Sequence, residues 1–358
     1  MVGLSGLVIY SISKKITKNK ISSVAVLTSY FLFVGLQNAI ITDFHEVTIA
    51  TLFLSLSFWA FLNKKILLYF LFLIITLGFK ESMFAVGLGL AMAIFFIDRN
   101  AKKIALLTFL ISLVWGILTM QFVIPYFSQT GYQYQPILSL NPIKIIFAFF
   151  DNEQKIRTML FSFSSFGFLP IPAIPFFPLI FQDFFARFYQ FWPVRWGLGF
   201  HYSAILSVIF AISSAYTLAL IKNKKILAIL TLYLLVNSLF LFRFVLHGPF
   251  LLAINKDFYR HTKDFQFLDD VVGKVPGHAS VMTQNNLASH FAHQIVYLIR
   301  NDYEKYSTDY ILIDDRKGQS PSNYFGSDLK LVLEKLAFDE NYDIVYKKGD
   351  QYLFKLRK

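Results

Sequence analysis

The chain predicts a polytopic α-helical membrane protein with a C-terminal soluble α/β domain, on three observations. Of its 358 residues, 56% are hydrophobic and 16% charged, with forty-two Phe. Soluble domains run at about 45–50% apolar and about 25% charged, so the main solvent for this chain is a bilayer. The apolar composition then collapses near residue 254. The charge divides at the same place: residues 255–358 hold fifteen Lys/Arg against fifteen Asp/Glu, while residues 1–254 hold nineteen against seven. The whole net charge of +12 therefore belongs to the membrane region. The predicted boundaries are 1–254 for a transmembrane helical region and 255–358 for a small α/β domain. With no Cys, disulfide scaffolds, thiolate zinc and cysteine catalysis are excluded.

Apolar runs interrupted by short polar turns predict the spans in order: Val24–Ile41, Val47–Leu62, Ile66–Phe79, Met83–Ile97, Ile104–Ile124, Tyr202–Ile221 and Ile226–Phe242, in a region of about seven to nine spans. Several are shorter than the ~20 residues of a straight span, which thinning, snorkelling lysines or burial in a bundle accommodate. Four polar runs (SKKITKNK, NKK, DRNAKK and KNKK) carry twelve basic residues. The positive-inside rule puts these loops in the cytoplasm of a cell-membrane protein and the C-terminal domain on the extracytoplasmic side. For that topology to close, residues 159–189 must enter and return as a hairpin around LPIPAIPFFP, whose four prolines break helices. Before the first span, MVGLSGLVIYSIS is apolar first and basic afterwards, the reverse of a signal peptide. It reads as the last half of a transmembrane helix, so the expectation is that the chain is N-terminally short.

In the C-terminal domain, helical patterning covers Thr262–Gly273 and Ser327–Phe338. Short β runs cover Ala279–Met282, Ile295–Leu298, Tyr310–Ile313, Asp343–Tyr346 and Tyr352–Leu356, with KKGDQ as a hairpin turn. Strands alternating with helices predict a small, mostly parallel sheet. A neutral domain and basic loops at span ends are no nucleic-acid footprint. The partners expected are membrane lipid and a lipid headgroup.

Ionisable residues at a membrane boundary are costly and default to functional candidates. Asp43, His45 and Glu46 share one turn between two spans, which suits acid–base work, a metal site or a proton relay. The alternative is a helix cap, with Thr42 or Asp43 as N-cap and Glu46 at the capping-box position. Lys80 and Glu81 follow a run of only about 21 Å of helix, so they sit below the surface as an ion pair or as the wall of an anion-binding cavity. Asp183 and Arg187 are i, i+4 partners. Arg195, His201 and Tyr202, among interfacial aromatics, suit a phosphate headgroup and sugar rings or else plain membrane anchoring, and Arg243 and His247 close the last span near the same side. The cofactor is open: a divalent metal is conceivable, but no ligand motif indicates one.

The runs DFHEVTIATLFLSLSFW, FKES, GFHYSAILSVIFAISSAY, VPGHASVMTQNNLASHFAHQIVYL and DYILIDD resemble, in the right order and over nearly the whole chain, the predicted membrane proteins of domain of unknown function 2079. That family is similar to the GT-C glycosyltransferases, multi-span enzymes that use polyprenyl-phosphate-linked sugars on the extracytoplasmic face. The resemblance implies a GT-C-like helix bundle. It matches Asp43 and His45 to the family's DFH, Lys80 and Glu81 to its K-E, and His201 and Tyr202 to its HY. The chain departs from the family, which usually has His-Pro after Phe, in that Glu46 follows His45. It also begins after the helix and acidic loop in which GT-C enzymes usually hold their catalytic carboxylate. The expectation is sugar transfer with Asp43, or an acid of that loop, as general base. His45 and Glu46 would orient the acceptor or hold a metal, and Lys80, Arg195 and Arg243 would hold the leaving phosphate. The rival is a non-catalytic transporter, lipid-binding scaffold or remnant of the enzyme.

Overall fold

Each polar run ends a helix and reverses the chain. In the computed structural model, which describes residues 1–42, 44–128, 141–189, 192–256, 259, 268–316, 321–324 and 326–357, α1 (Val2–Thr17) closes on Lys18 in a left-handed conformation, φ 53°. The Asn19 side chain then caps α2 (Lys20–Leu32) by accepting from the Ile21 and Ser22 amides. The chain divides into two compact units, Met1–Ile254 and Asn255–Lys358.

In the first unit α4 (Glu46–Leu62), α5 (Ile66–Gly78) and α6 (Met83–Ile97) fall on the apolar runs. The run 24–41 is not one continuous helix. It breaks at Phe33 into α2 and α3 (Val34–Ile41), bent by 47°. Phe33 is extended there because its ring is buried against Phe166, centroids 5.6 Å apart. Gln37 repairs the break, donating from Nε2 to the Phe31 carbonyl at 2.8 Å. The helix Arg99–Phe127 continues α7 (Lys102–Leu118) through a π turn, Thr119–Val123, into α8 (Ile124–Phe127). Pro125 explains the turn: its ring excludes the carbonyl four residues back and it has no amide to donate, so the backbone widens just before it.

Among the described residues, Arg99–Phe127, His201–Leu220 and Lys224–Val245 are long and apolar enough to cross a membrane, and the α2–α3 pair makes a fourth if counted as one span. α4, α5 and α6 are apolar but shorter. α12 (Ala204–Leu220) is the hub, because 83% of its window is buried against 17% and 22% in the other two long helices. Hydrophobicity alone does not hold helices together in lipid, so side-chain contacts between them matter. Hydroxyl pairs join Ser22 to Thr231 at 2.8 Å, Ser29 to Ser238 at 2.7 Å, and Tyr69 to Thr108 at 2.7 Å. Gly89 lets α6 approach α11 (Phe177–Phe188) so closely that a Cβ there would lie 2.8 Å from the Leu179 Cα.

Between the short α9 (Pro142–Phe147) and α11, α10 (Glu153–Ser165) ends on Gly167 and Phe168, both left-handed. The Phe168 amide bonds back to the Phe163 carbonyl. The end of α10 and the irregular proline-rich turn that follows have carbonyls satisfied from inside the bundle. Thr217 donates to the Leu169 carbonyl at 2.6 Å. From α13 (Lys224–Phe240), Asn237 donates to the Ser164 carbonyl and Ser238 to the Ser165 carbonyl. Irregular backbone survives at membrane depth only where it is buried and paired in this way.

The second unit holds a five-stranded sheet in the order β2-β1-β3-β5-β4: β1 Val281–Thr283, β2 Val296–Leu298, β3 Tyr310–Asp314, β4 Tyr342–Lys348 and β5 Gln351–Leu356. The sheet is mixed rather than mostly parallel. β2, β1 and β3 are parallel, whereas β4 and β5 form an antiparallel hairpin over Gly349 (φ 55°), and β5 docks antiparallel on β3. One face packs on Leu268, Val271 and Val275; the other packs on α14 (Leu329–Phe338) through Leu329, Val332 and Leu336. The expected helix at Thr262–Gly273 is helical over 268–272, and its earlier part lies outside the described residues.

Candidate functional site

At the end of the first unit away from the basic loops, three turns converge: the start of α4, the α5–α6 turn and the loop into α12. Asp43 lies outside the described residues. His45 occupies the N-cap position of α4 in extended backbone, and its side chain makes no cap bond. Of the capping alternative, Thr42 does not cap α4, and Asp43 lies outside the described residues. Thr42 instead donates back to the Asn38 carbonyl, and Glu46 reaches across to Lys80, Oε1 to Nζ 3.8 Å. Lys80 thus pairs with a carboxylate on another turn, and both partners keep solvent contact, at 21% and 39% exposed.

The loop into α12 is organised by one buried guanidinium. Arg187 pairs with Asp183 at 3.3 Å, as their spacing on α11 predicts. It also donates to the carbonyls of Arg195 (2.9 Å), Gly197 (2.7 Å) and Trp196 (3.4 Å) and to the Ser203 hydroxyl (2.9 Å). A planar fork of five N–H donors is what lets one side chain hold four points of a loop. That loop delivers Arg195, whose guanidinium lies over the Tyr202 ring at 5.4 Å, and His201. The His201 ring stacks on His45 with centroids 3.4 Å apart and lies 4.2 Å from the Tyr202 ring. It is 6% exposed, and neither ring nitrogen has a hydrogen-bond partner among the described residues.

A cavity of about 350 Å³ opens onto these groups. Lys80, Glu81, Arg195, His201 and Tyr202 line it, with an apolar wall from Met83, Phe84, Phe185 and Ile205. Most of the predicted substrate-binding residues are therefore brought together from three separate turns. Arg243 is not among them. It lies in the π turn Leu241–Val245, which is exposed, and stacks over Phe244 at 5.6 Å. The sequence reading missed Gln182 and Met120, which also line the cavity. The signal for Gln182 was a polar residue beside Asp183 in an otherwise apolar helix. Among the described residues, no three His, Asp or Glu side chains gather as metal ligands. Chemically, the three cations lining the cavity (Lys80, Arg187 and Arg195) outnumber its two carboxylates (Glu81 and Asp183), and with His201 beside an apolar wall they suit an anion joined to a hydrocarbon chain, because buried polar atoms need partners and the anion would supply them.

The family model for predicted membrane proteins, DUF2079, matches residues 1–353. The chain belongs to that family. No curated protein matches the sequence.

Proposed function

Starting from membership in the DUF2079 family, we propose that this membrane protein is a GT-C-like transferase that moves a sugar from a polyprenyl-phosphate carrier to an acceptor hydroxyl. The observation that carries the reading is the cavity in which neither ring nitrogen of the buried His201 has a hydrogen-bond partner among the described residues, beside Lys80 and Arg195. In such a transfer the acceptor oxygen bonds to the sugar's anomeric carbon. The carbon–oxygen bond to phosphate breaks, the lipid phosphate leaves with the electron pair, and a base takes the acceptor proton. The charge that develops sits on the departing phosphate, so fixed cations beside it provide the main stabilisation. Lys80 and Arg195 serve that role here, and His201 donates to a phosphate oxygen. Asp43, two residues before His45, is the base in this scheme, and Glu46 keeps the Lys80 ammonium in place. The positive-inside rule supports a site on the extracytoplasmic face of the cell membrane.

The test uses the full chain in proteoliposomes with decaprenyl phosphate as binding probe and a decaprenyl-phosphate-linked sugar as donor. Lys80→Gln with Arg195→Gln should weaken decaprenyl phosphate binding at least tenfold, while Arg243→Gln leaves it unchanged. Equal binding by wild type and double variant would overturn the assignment of the cavity. Asp43→Asn should abolish release of decaprenyl phosphate from the donor without loss of binding. Binding by the wild type with no donor turnover would replace the transferase by a lipid-phosphate-binding protein.

A further inference from the structure

At the opposite end of the same unit, a second cavity of about 420 Å³ lies between the α1–α2 turn and the start of α13. Its head is lined by Lys18 and Lys224, and its flank by Ile21, Val24, Leu227 and Leu232. Ile21, Val24 and Leu232 are exposed, so the apolar flank faces the hydrocarbon while the two ammonium groups stand at its end. Below them α2 and α13 are clasped by the Ser22–Thr231 hydroxyl pair, which closes the groove's floor. From these features we infer that the groove binds one anionic glycerophospholipid, its phosphate on Lys18 and Lys224 and an acyl chain along the apolar flank.

Charge complementarity argues for that occupant. The four polar runs at this end hold twelve basic residues and one acidic residue, Asp98, whose carboxylate is turned to the Asn100 amide. Surplus positive charge at a bilayer surface recruits anionic headgroups, and basic pockets between helices take them specifically. Both helices also present their N-termini here, capped by Asn19 and Asn223, which adds two favourable dipole ends. An apolar lipid tail lying against α2 and α13 accounts for the hydrophobic side of the cavity, which a free phosphate would leave empty.

The test measures phosphatidylglycerol binding to the purified full chain in phosphatidylcholine nanodiscs. Two direct ion pairs from exposed lysines to one phosphate contribute about thirtyfold in affinity, so Lys18→Gln/Lys224→Gln should weaken phosphatidylglycerol binding about that much. Lys64→Gln/Lys103→Gln removes the same charge at the same end outside the groove and should change it less than threefold. Equal losses in the two double variants would overturn the site in favour of a diffuse surface field. Retained affinity in Lys18→Gln/Lys224→Gln would overturn it outright. So would an equal effect of inorganic phosphate, which would show that no lipid is needed.

Discussion

Replacing Arg187 by Met removes a guanidinium that is 5% exposed and leaves the Asp183 carboxylate, 8% exposed, without it. Breaking a buried pair from one side costs about 3–5 kcal/mol, because the surviving charge stays buried. The carbonyls of Arg195, Trp196 and Gly197 and the Ser203 hydroxyl lose a donor at the same time. For a unit of this size, each kcal/mol corresponds to about 2–4 °C, so Arg187→Met should lower the unfolding midpoint by about 6–20 °C in detergent. Adding Asp183→Asn removes the stranded charge and should recover about half of that loss. Arg187→Lys keeps the charge but not the fork, so it should hold Asp183 yet still release the loop. Decaprenyl phosphate binding should therefore fall in all three variants, since the loop carries Arg195 and His201. A midpoint within 2 °C of wild type for Arg187→Met would refute the reasoning, as would a double variant no more stable than the single.

Two further outcomes follow from other parts of the molecule. Thr217→Val deletes the donor to the Leu169 carbonyl while nearly preserving shape, and should cost about 1–3 kcal/mol, with Thr217→Ser close to wild type in thermal unfolding. In the second unit, burial and the nearby Asp350 hold the Asp315 carboxyl above the usual carboxylate range. A raised folded-state value means the charged form costs stability at neutral pH. Asp315→Asn in the full chain should therefore stabilise this unit at pH 7, a gain that disappears below about pH 4, where the carboxyl is protonated folded and unfolded alike. Stabilisation that persists unchanged at pH 3 would contradict this account.

Much of the fold was legible because polar punctuation and apolar length are local properties. Met83–Ile97 was read to the residue, and the helices starting at Glu46 and Ile66 within one. The break at Phe33 was not legible, since its cause is a ring contributed by Phe166, more than a hundred residues away. The hairpin of β4 and β5 was signalled by Gly349, but its docking on β3, which makes the sheet mixed, is a tertiary choice. At the candidate site, the chemistry of Lys80, His201 and Arg195 marked them individually. That His45 lies against His201 follows only from helix packing, as does the turning outward of Arg243. Arg187 was read as half of an ion pair, but its larger role, holding the loop, depends on carbonyls that no residue type announces.

The proline-rich turn after α10 has a consequence for how the protein is made. Thr217, which satisfies the Leu169 carbonyl in that turn, and Asn237 and Ser238, which satisfy the Ser164 and Ser165 carbonyls at the end of α10, are synthesised some fifty to seventy residues after those groups. Until those residues emerge from the ribosome, the Ser165 and Leu169 carbonyls lack these donors in hydrocarbon, where each bare carbonyl costs several kcal/mol. The turn must therefore wait in water or within the insertion machinery and slide into place after α12 and α13 are delivered. A chain stalled before residue 217 should leave the turn open to protease, and one released after residue 240 should protect it. Biogenesis of this bundle runs against chain order at that one point, with the last helices completing a segment translated well before them.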